Sequence, residues 1–296
     1  MTTTILELAK TRIVLLDGGF GTELIRHGFP EGACPEAWNA DQPEVIRAIH
    51  RSYFEAGADA VTANSFGGHP IKLAAHGLEK RCAELNRKAA ELAAEVRPAG
   101  RFVGGSLGPT GKFLKPQGTF TEPDFEAGFA EQARGLADGG ADFLIVETQY
   151  DLREALCALR GARSASSLPV FVTMTFNRTP RGHFTLMGNS AAACLEALAK
   201  EGAAAVGSNC TLDSREMAAL VGEMWPLTVL PIIAQANAGK PVLSVEGQVA
   251  YSQGIDDYVK YVPEMAANGA NFIGGCCGTD PDYIRRMADV LRPGAR

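Results

Sequence analysis

The stretch Ala267-Asn268-Gly269-Ala270-Asn271-Phe272-Ile273-Gly274-Gly275-Cys276-Cys277-Gly278 leaves a helix-like segment through a glycine, enters a short apolar strand and stops on two adjacent cysteines. Glycine suits the left-handed position just past a helix C-terminus. An apolar strand a few residues later is the joint of a parallel sheet, whose strands are covered on both faces. The same grammar recurs at Glu55-Ala56-Gly57-Ala58-Asp59-Ala60-Val61, at Asp138-Gly139-Gly140-Ala141-Asp142-Phe143-Leu144 and at Lys200-Glu201-Gly202-Ala203-Ala204-Ala205-Val206.

Followed along the chain, this pattern predicts eight strands: Ile13–Asp17, Ala60–Asn64, Phe102–Leu107, Phe143–Thr148, Val170–Phe176, Ala204–Asn209, Ile232–Asn237 and Asn271–Cys276. Each precedes a helical pattern. Asp151-Leu152-Arg153-Glu154 and Asp213-Ser214-Arg215-Glu216 resemble capping boxes, and Thr279-Asp280-Pro281 places a capping side chain before a first-turn proline. Eight βα units imply an α/β chain forming a single (β/α)8 TIM barrel over residues 1–296. The competing open, doubly wound sheet would gather its polar residues at one crevice, whereas here polar residues end nearly every strand. No linker, low-complexity tract or charge block divides the chain.

With 296 residues, 46% hydrophobic and 21% charged, the chain has ample material for a core. A net charge of -6 gives no electrostatic footprint for nucleic acid or an anionic membrane. No apolar run is long enough to span a bilayer, and no signal-peptide pattern opens the sequence. Seven cysteines, an odd and scattered set, fit a reducing cytoplasm better than a disulfide framework. Cys82, Cys157 and Cys194 lie in helical patterns and read as small buried hydrophobes, while Cys34 lies in a Gly/Pro-rich loop.

Barrels of this kind build their active sites at the carboxyl ends of the strands. Those ends supply Asp17, Gly18, Gly19, Asn64, Ser106, Glu147, Asn209, Cys210, Asn237, Cys276 and Cys277. The set is polar, glycine-rich and nearly free of positive charge. It suits a small zwitterion, its ammonium against Asp17 or Glu147 and its carboxylate on backbone N–H groups of the glycine loops. Cys210, Cys276 and Cys277 offer three thiolates to one ion, of the kind that suits zinc, copper(I) or an iron–sulfur cluster. No histidine stands at a strand end. Three ligands and a vacancy are the pattern of a catalytic zinc rather than a structural one. Such an electron-rich site favours deprotonation of an incoming thiol over activation of water, so thiol alkylation is the expected chemistry.

At these residues the chain resembles the zinc-dependent homocysteine S-methyltransferase family. The similarity is carried by Leu16-Asp17-Gly18-Gly19-Phe20-Gly21-Thr22, Thr62-Ala63-Asn64-Ser65-Phe66-Gly67, Gly105-Ser106-Leu107-Gly108-Pro109-Thr110-Gly111, Glu147-Thr148, Gly207-Ser208-Asn209-Cys210 and Gly274-Gly275-Cys276-Cys277-Gly278-Thr279. The resemblance implies a (β/α)8 barrel with zinc on Cys210, Cys276 and Cys277 and the amino acid end of homocysteine on Asp17 and Glu147. Gly108-Pro109-Thr110-Gly111-Lys112 and Asn237-Ala238-Gly239-Lys240-Pro241 look most like the homocysteine module of cobalamin-dependent methionine synthase. That likeness implies that Asn237 occupies the zinc position when substrate is absent. One barrel leaves no room for folate or corrinoid domains, so a methylcobalamin donor is expected on a separate corrinoid protein, with a small methyl donor as the other source. A different thiol or selenol as acceptor is the alternative enzyme, and a redox-sensitive zinc-thiolate binding protein the alternative of another class.

Overall fold

In the computed structural model, which describes residues 3–243 and 249–294, all eight expected strands form. They are β1 (Val14–Leu15), β2 (Ala60–Thr62), β3 (Phe102–Leu107), β4 (Phe143–Gln149), β5 (Val170–Met174), β6 (Ala205–Asn209), β7 (Ile232–Ala236) and β8 (Ala270–Gly275). From β2 to β8 each strand pairs in parallel with its sequence neighbours, and β1 pairs with β8. A parallel bridge between Leu16 and Ala60 and a 2.7 Å hydrogen bond from Asp59 N–H to Leu15 O close β1 onto β2. Helices follow the strands and cover the barrel.

Burial alternates along the strands, as a pleat requires. Phe102, Phe143, Ile145, Phe171, Ala205, Ile233 and Phe272 fill the interior, whereas Val103, Leu144, Val146, Val172, Val206, Ile232 and Ile273 pack against the helices. The phenylalanine rings stack across the lumen, Phe143 on Phe171 at 4.8 Å and Phe171 on Phe272 at 5.0 Å. Gly104 makes this possible, because a Cβ there would lie 2.5 Å from the Phe143 ring. The helix Ile5–Ala9 buries Ile5 and Ala9 in the same cluster and plugs the amino end. The lumen is therefore solid below and open at its carboxyl end.

The four glycines of the repeated joint are left-handed: Gly57 at φ +107°, Gly140 at +93°, Gly202 at +92° and Gly269 at +106°. Asp213 and Glu216 form the expected capping box, and Asp280 caps the helix that begins at Pro281. At Asp151 the box is incomplete. Asp151 accepts from Arg153 N–H, but the Glu154 carboxylate is buried and reaches 2.6 Å to Thr110 N–H in the loop after β3. Cys82, Cys157 and Cys194 are buried, as expected of small hydrophobes. Two β-hairpins that the strand count did not include, Asn177–Thr179 with Gly182–Phe184 and Pro241–Leu243 with Val249–Tyr251, follow β5 and β7.

Candidate metal centre

The three strand-end sulfurs converge. Cys210, Cys276 and Cys277 lie within 4.8 Å of one another, and the Cys210 and Cys277 sulfurs are 3.9 Å apart. In tetrahedral coordination at a Zn–S length of about 2.3 Å, thiolates lie roughly 3.8 Å from each other. The donor set and its spacing fit that ion. Glu122, Glu126 and Cys157 also cluster, but Arg160 already occupies that group, pairing with Glu126 at 2.5 Å and with Glu122 at 3.0 Å.

Backbone conformation assembles the trio. Ala205 faces inward and Val206 outward, so strict alternation would send Cys210, like Val206, toward the helices. Instead Cys210 takes φ +66° and Thr211 φ +54°, which turns the chain at the end of β6. A left-handed non-glycine residue costs of the order of 1–3 kcal/mol, strain placed where it sets a ligand's direction. Cys210 N–H is held by Gln235 O at 3.1 Å, and Cys277 N–H by the Asn237 side-chain oxygen at 3.1 Å. The Asn237 side chain thus stands directly beside the cysteines. Hydrogen bonds from Cys276 and from Cys277 pull the Cys210 thiol far below its ordinary pKa, while the same contact with Cys210 pushes Cys276 well up.

The carboxyls lie beside the sulfurs. Glu147 stands where β4 loses register, between Val146 and Gln149, and Thr148 is left-handed at φ +60°. Bulges of this kind re-aim side chains next to active sites. Ser106 Oγ donates to Glu147 Oε1. Burial raises Glu147 to about 7, against the Ser106 hydrogen bond and with help from the charge at Cys210. Asp17 is pushed by burial to about 8, although Thr62 N–H donates to it at 2.6 Å and Thr62 Oγ at 3.0 Å. Neither has a lysine or arginine partner among the described residues. Asn209 ties this part of the site to the cysteine trio. Its amide nitrogen reaches Thr148 Oγ at 2.7 Å, Glu147 Oε2 at 3.4 Å and Cys276 Sγ at 3.8 Å.

A cavity of about 440 Å³ opens over the trio. Of the residues expected to bind substrate, Gly18, Gly19, Asn64, Ser106 and Glu147 line it with the three cysteines. Asp17, Asn209 and Asn237 do not reach the wall. Asp17 has the parity of Leu15, which packs outward, and it sits behind Thr62. Gly19 N–H is already given to Thr279 O at 3.2 Å, and Asn64 donates to Pro35 O at 2.8 Å and to Asn39 at 3.0 Å. These two shape the wall rather than offer free donors.

Phe20, Phe66, Lys72 and Tyr251 also line the cavity and were not singled out from the sequence. The Tyr251 ring lies so close to Gly278 that a Cβ there would meet it at 2.3 Å. Lys72 Nζ stands 4.7 Å over the Phe66 ring, and burial lowers its pKa. Both belong to segments inserted between strand and helix, where strand-end reading has no purchase. The glycine after Cys277 was the one local signal for Tyr251.

Comparison with known proteins agrees with this geometry. A family model described as homocysteine S-methyltransferase matches residues 14–291. The methionine synthases of Mycobacterium tuberculosis and Mycobacterium leprae are each 33% identical over 308 aligned positions, which include 98% of this chain and 25% of theirs. The chain thus spans about a quarter of the length of these curated relatives. Among solved structures, the homocysteine methyltransferase MmuM from Escherichia coli in its metallated form superposes with a TM-score of 0.78 at 27% identity, over 95% of this chain and 96% of that one. Its oxidized form gives 0.79 at 27% identity, over 96% and 97%.

Proposed function

The chain belongs to the homocysteine S-methyltransferase family, and from this premise we propose that it transfers a methyl group to the sulfur of homocysteine, giving methionine. The observation that carries the reading is the convergence of Cys210, Cys276 and Cys277 at the floor of an open cavity. These three residues are the proposed zinc ligands. Zinc bound there supplies a Lewis acid that lowers the pKa of an incoming thiol and holds it as a nucleophilic thiolate.

The protein's own groups position the substrate. Glu147, oriented by Ser106 and Asn209, receives the ammonium group. Asp17 adds negative charge from behind Thr62, and Gly18, Gly19 and Asn64 shape the wall beside the amino acid end. Burial holds both carboxyls near neutrality in the empty pocket, and an arriving ammonium offsets that desolvation, so ionisation and binding are coupled. Phe20 and Phe66 give the outer cavity apolar walls that limit water around the sulfur. The donor carbon must come within about 3–3.5 Å of that sulfur for in-line attack.

Likeness to methionine synthases supports methylcobalamin as donor, carried on a corrinoid domain or protein outside this barrel. A small donor such as S-methylmethionine is the alternative source. Purified protein with zinc, homocysteine and each donor in turn, assayed for methionine, separates the two; no methionine from any donor defeats the proposal. Competition by other small mercaptans and selenols tests the acceptor, and indifference to the amino acid group would replace homocysteine with another thiol. A cytoplasmic setting is supported by seven unpaired cysteines. No helix among the described residues is long and apolar enough to cross a membrane.

A further inference from the structure

The amino end of the barrel holds more positive charge than its carboxylates balance. The Asp59 side chain, fully buried just before β2, accepts from Leu15 N–H at 2.9 Å and from the Arg12 fork at 2.7 and 2.8 Å. Arg101 and Arg292 bond the same carboxylate. Alongside, Arg97 pairs with Asp142 at 2.5 Å, and Asp142 also accepts from Val103 N–H at 2.7 Å. Four guanidiniums thus face two carboxylates among the described residues, in a chain whose net charge is -6.

A staple joining the starts of β1, β2 and β3 to the C-terminal segment explains Asp59, but it does not require three cations on one anion. Like charges packed this closely repel unless a counter-charge arrives. A second cavity, of about 1030 Å³, opens at this end, where Arg12, Arg97, Arg101, Thr3, Ser167 and the paired Asp142 stand among apolar side chains. Arg97 and Arg101 each spend one terminal nitrogen on a carboxylate, which leaves further N–H donors on each. Arginine forks match phosphate oxygens.

We propose that this groove binds a phosphate group, as free phosphate or as a phosphate ester, between Arg12, Arg97 and Arg101. The site lies at the opposite end of the strands from the cysteine trio, so it serves stability or regulation rather than methyl transfer.

The test is calorimetric titration and thermal unfolding of the zinc-loaded full chain with inorganic phosphate or adenosine monophosphate, against chloride at matched ionic strength. Saturable binding and a rise in Tm are expected for at least one ligand. Tighter protection by the ester identifies a phosphorylated metabolite, and equal protection identifies free phosphate; protection by neither overturns the proposal. Arg97→Gln should weaken binding by roughly tenfold while leaving methyl transfer unchanged. Arg101→Lys, which keeps the charge but loses the remaining guanidinium donors, serves if that variant folds poorly. Undiminished phosphate binding in a folded variant of either kind overturns the assignment.

Discussion

At the carboxyl end of the barrel, Asp17 and Glu147 are buried without a cationic partner, and burial lifts them to about 8 and about 7. At the amino end, Asp59 is just as deeply placed. Burial alone would raise it too, but the Arg12 fork, Leu15 N–H and Arg292 outweigh that cost and hold it below its ordinary value. The same strands pass through both ends, so the contrast is not one of fold. A buried carboxylate meets cations of the chain itself at the closed end, and at the open end it is left for a ligand's cation. Backbone strain divides the same way: Thr148, Cys210 and Thr211 are the non-glycine residues with positive φ among those described, and all stand at the open end.

The largest effect should come from breaking the open end. Cys210→Ser is expected to remove bound zinc and reduce methyl transfer to background, as read by elemental analysis and a methionine assay. Unchanged metal content in that variant would contradict the proposed centre. At the closed end, Asp59→Asn strips a buried charge from three guanidiniums and should destabilise the fold by about 3–5 kcal/mol. Denaturant titration measures that loss, and the folded fraction should keep its zinc stoichiometry.

Smaller changes sharpen the comparison. Asn209→Ala leaves every proposed ligand in place but removes the tie between Cys276 and Glu147, and should weaken zinc binding by roughly 10–100-fold. A metal-competition titration that finds wild-type affinity would reduce Asn209 to a packing role. Glu147→Gln should raise KM for homocysteine by roughly tenfold through loss of a charge-assisted contact, with a smaller change in kcat; an unaltered KM would move the ammonium group elsewhere.

The pH response should be the mildest and should differ in sign between the ends. Asp59 has a folded pKa below its unfolded value, so its stabilisation is complete above about pH 4 and fades as pH falls further. Asp17 and Glu147 lie above theirs. The unfolded chain releases those protons first, and the metal-free, ligand-free protein should lose stability as pH rises from about 4 to about 8. Glu147→Gln should flatten that decline in thermal unfolding scans; a decline as steep as that of the parent protein would assign it to other groups.

Much of this architecture was legible in the chain, because its signals are local. A glycine past a helix end, an apolar run and a polar strand end each depend on a few neighbours, and Gly57, Gly140, Gly202 and Gly269 all take the left-handed conformation that the reading needed. The reading faltered where a side chain answers to a distant partner. Glu154 looked like half of a capping box and instead crosses to Thr110, whose N–H would otherwise be left unpaired in a buried loop. Asn209 looked like one more polar strand end and proves to tie a carboxyl to a thiol.

From the order of residues alone came eight strands, their direction and the three cysteines at the ends of two of them, since pleat and cap are written in local sequence. Tertiary structure alone decided which way those ends face. Cys210 escapes the alternation of its strand, Asp17 stays behind Thr62, and Tyr251 comes in from a hairpin to pack on Gly278. Each of these depends on a turn or a contact between segments far apart in the chain, fixed only when the barrel closes.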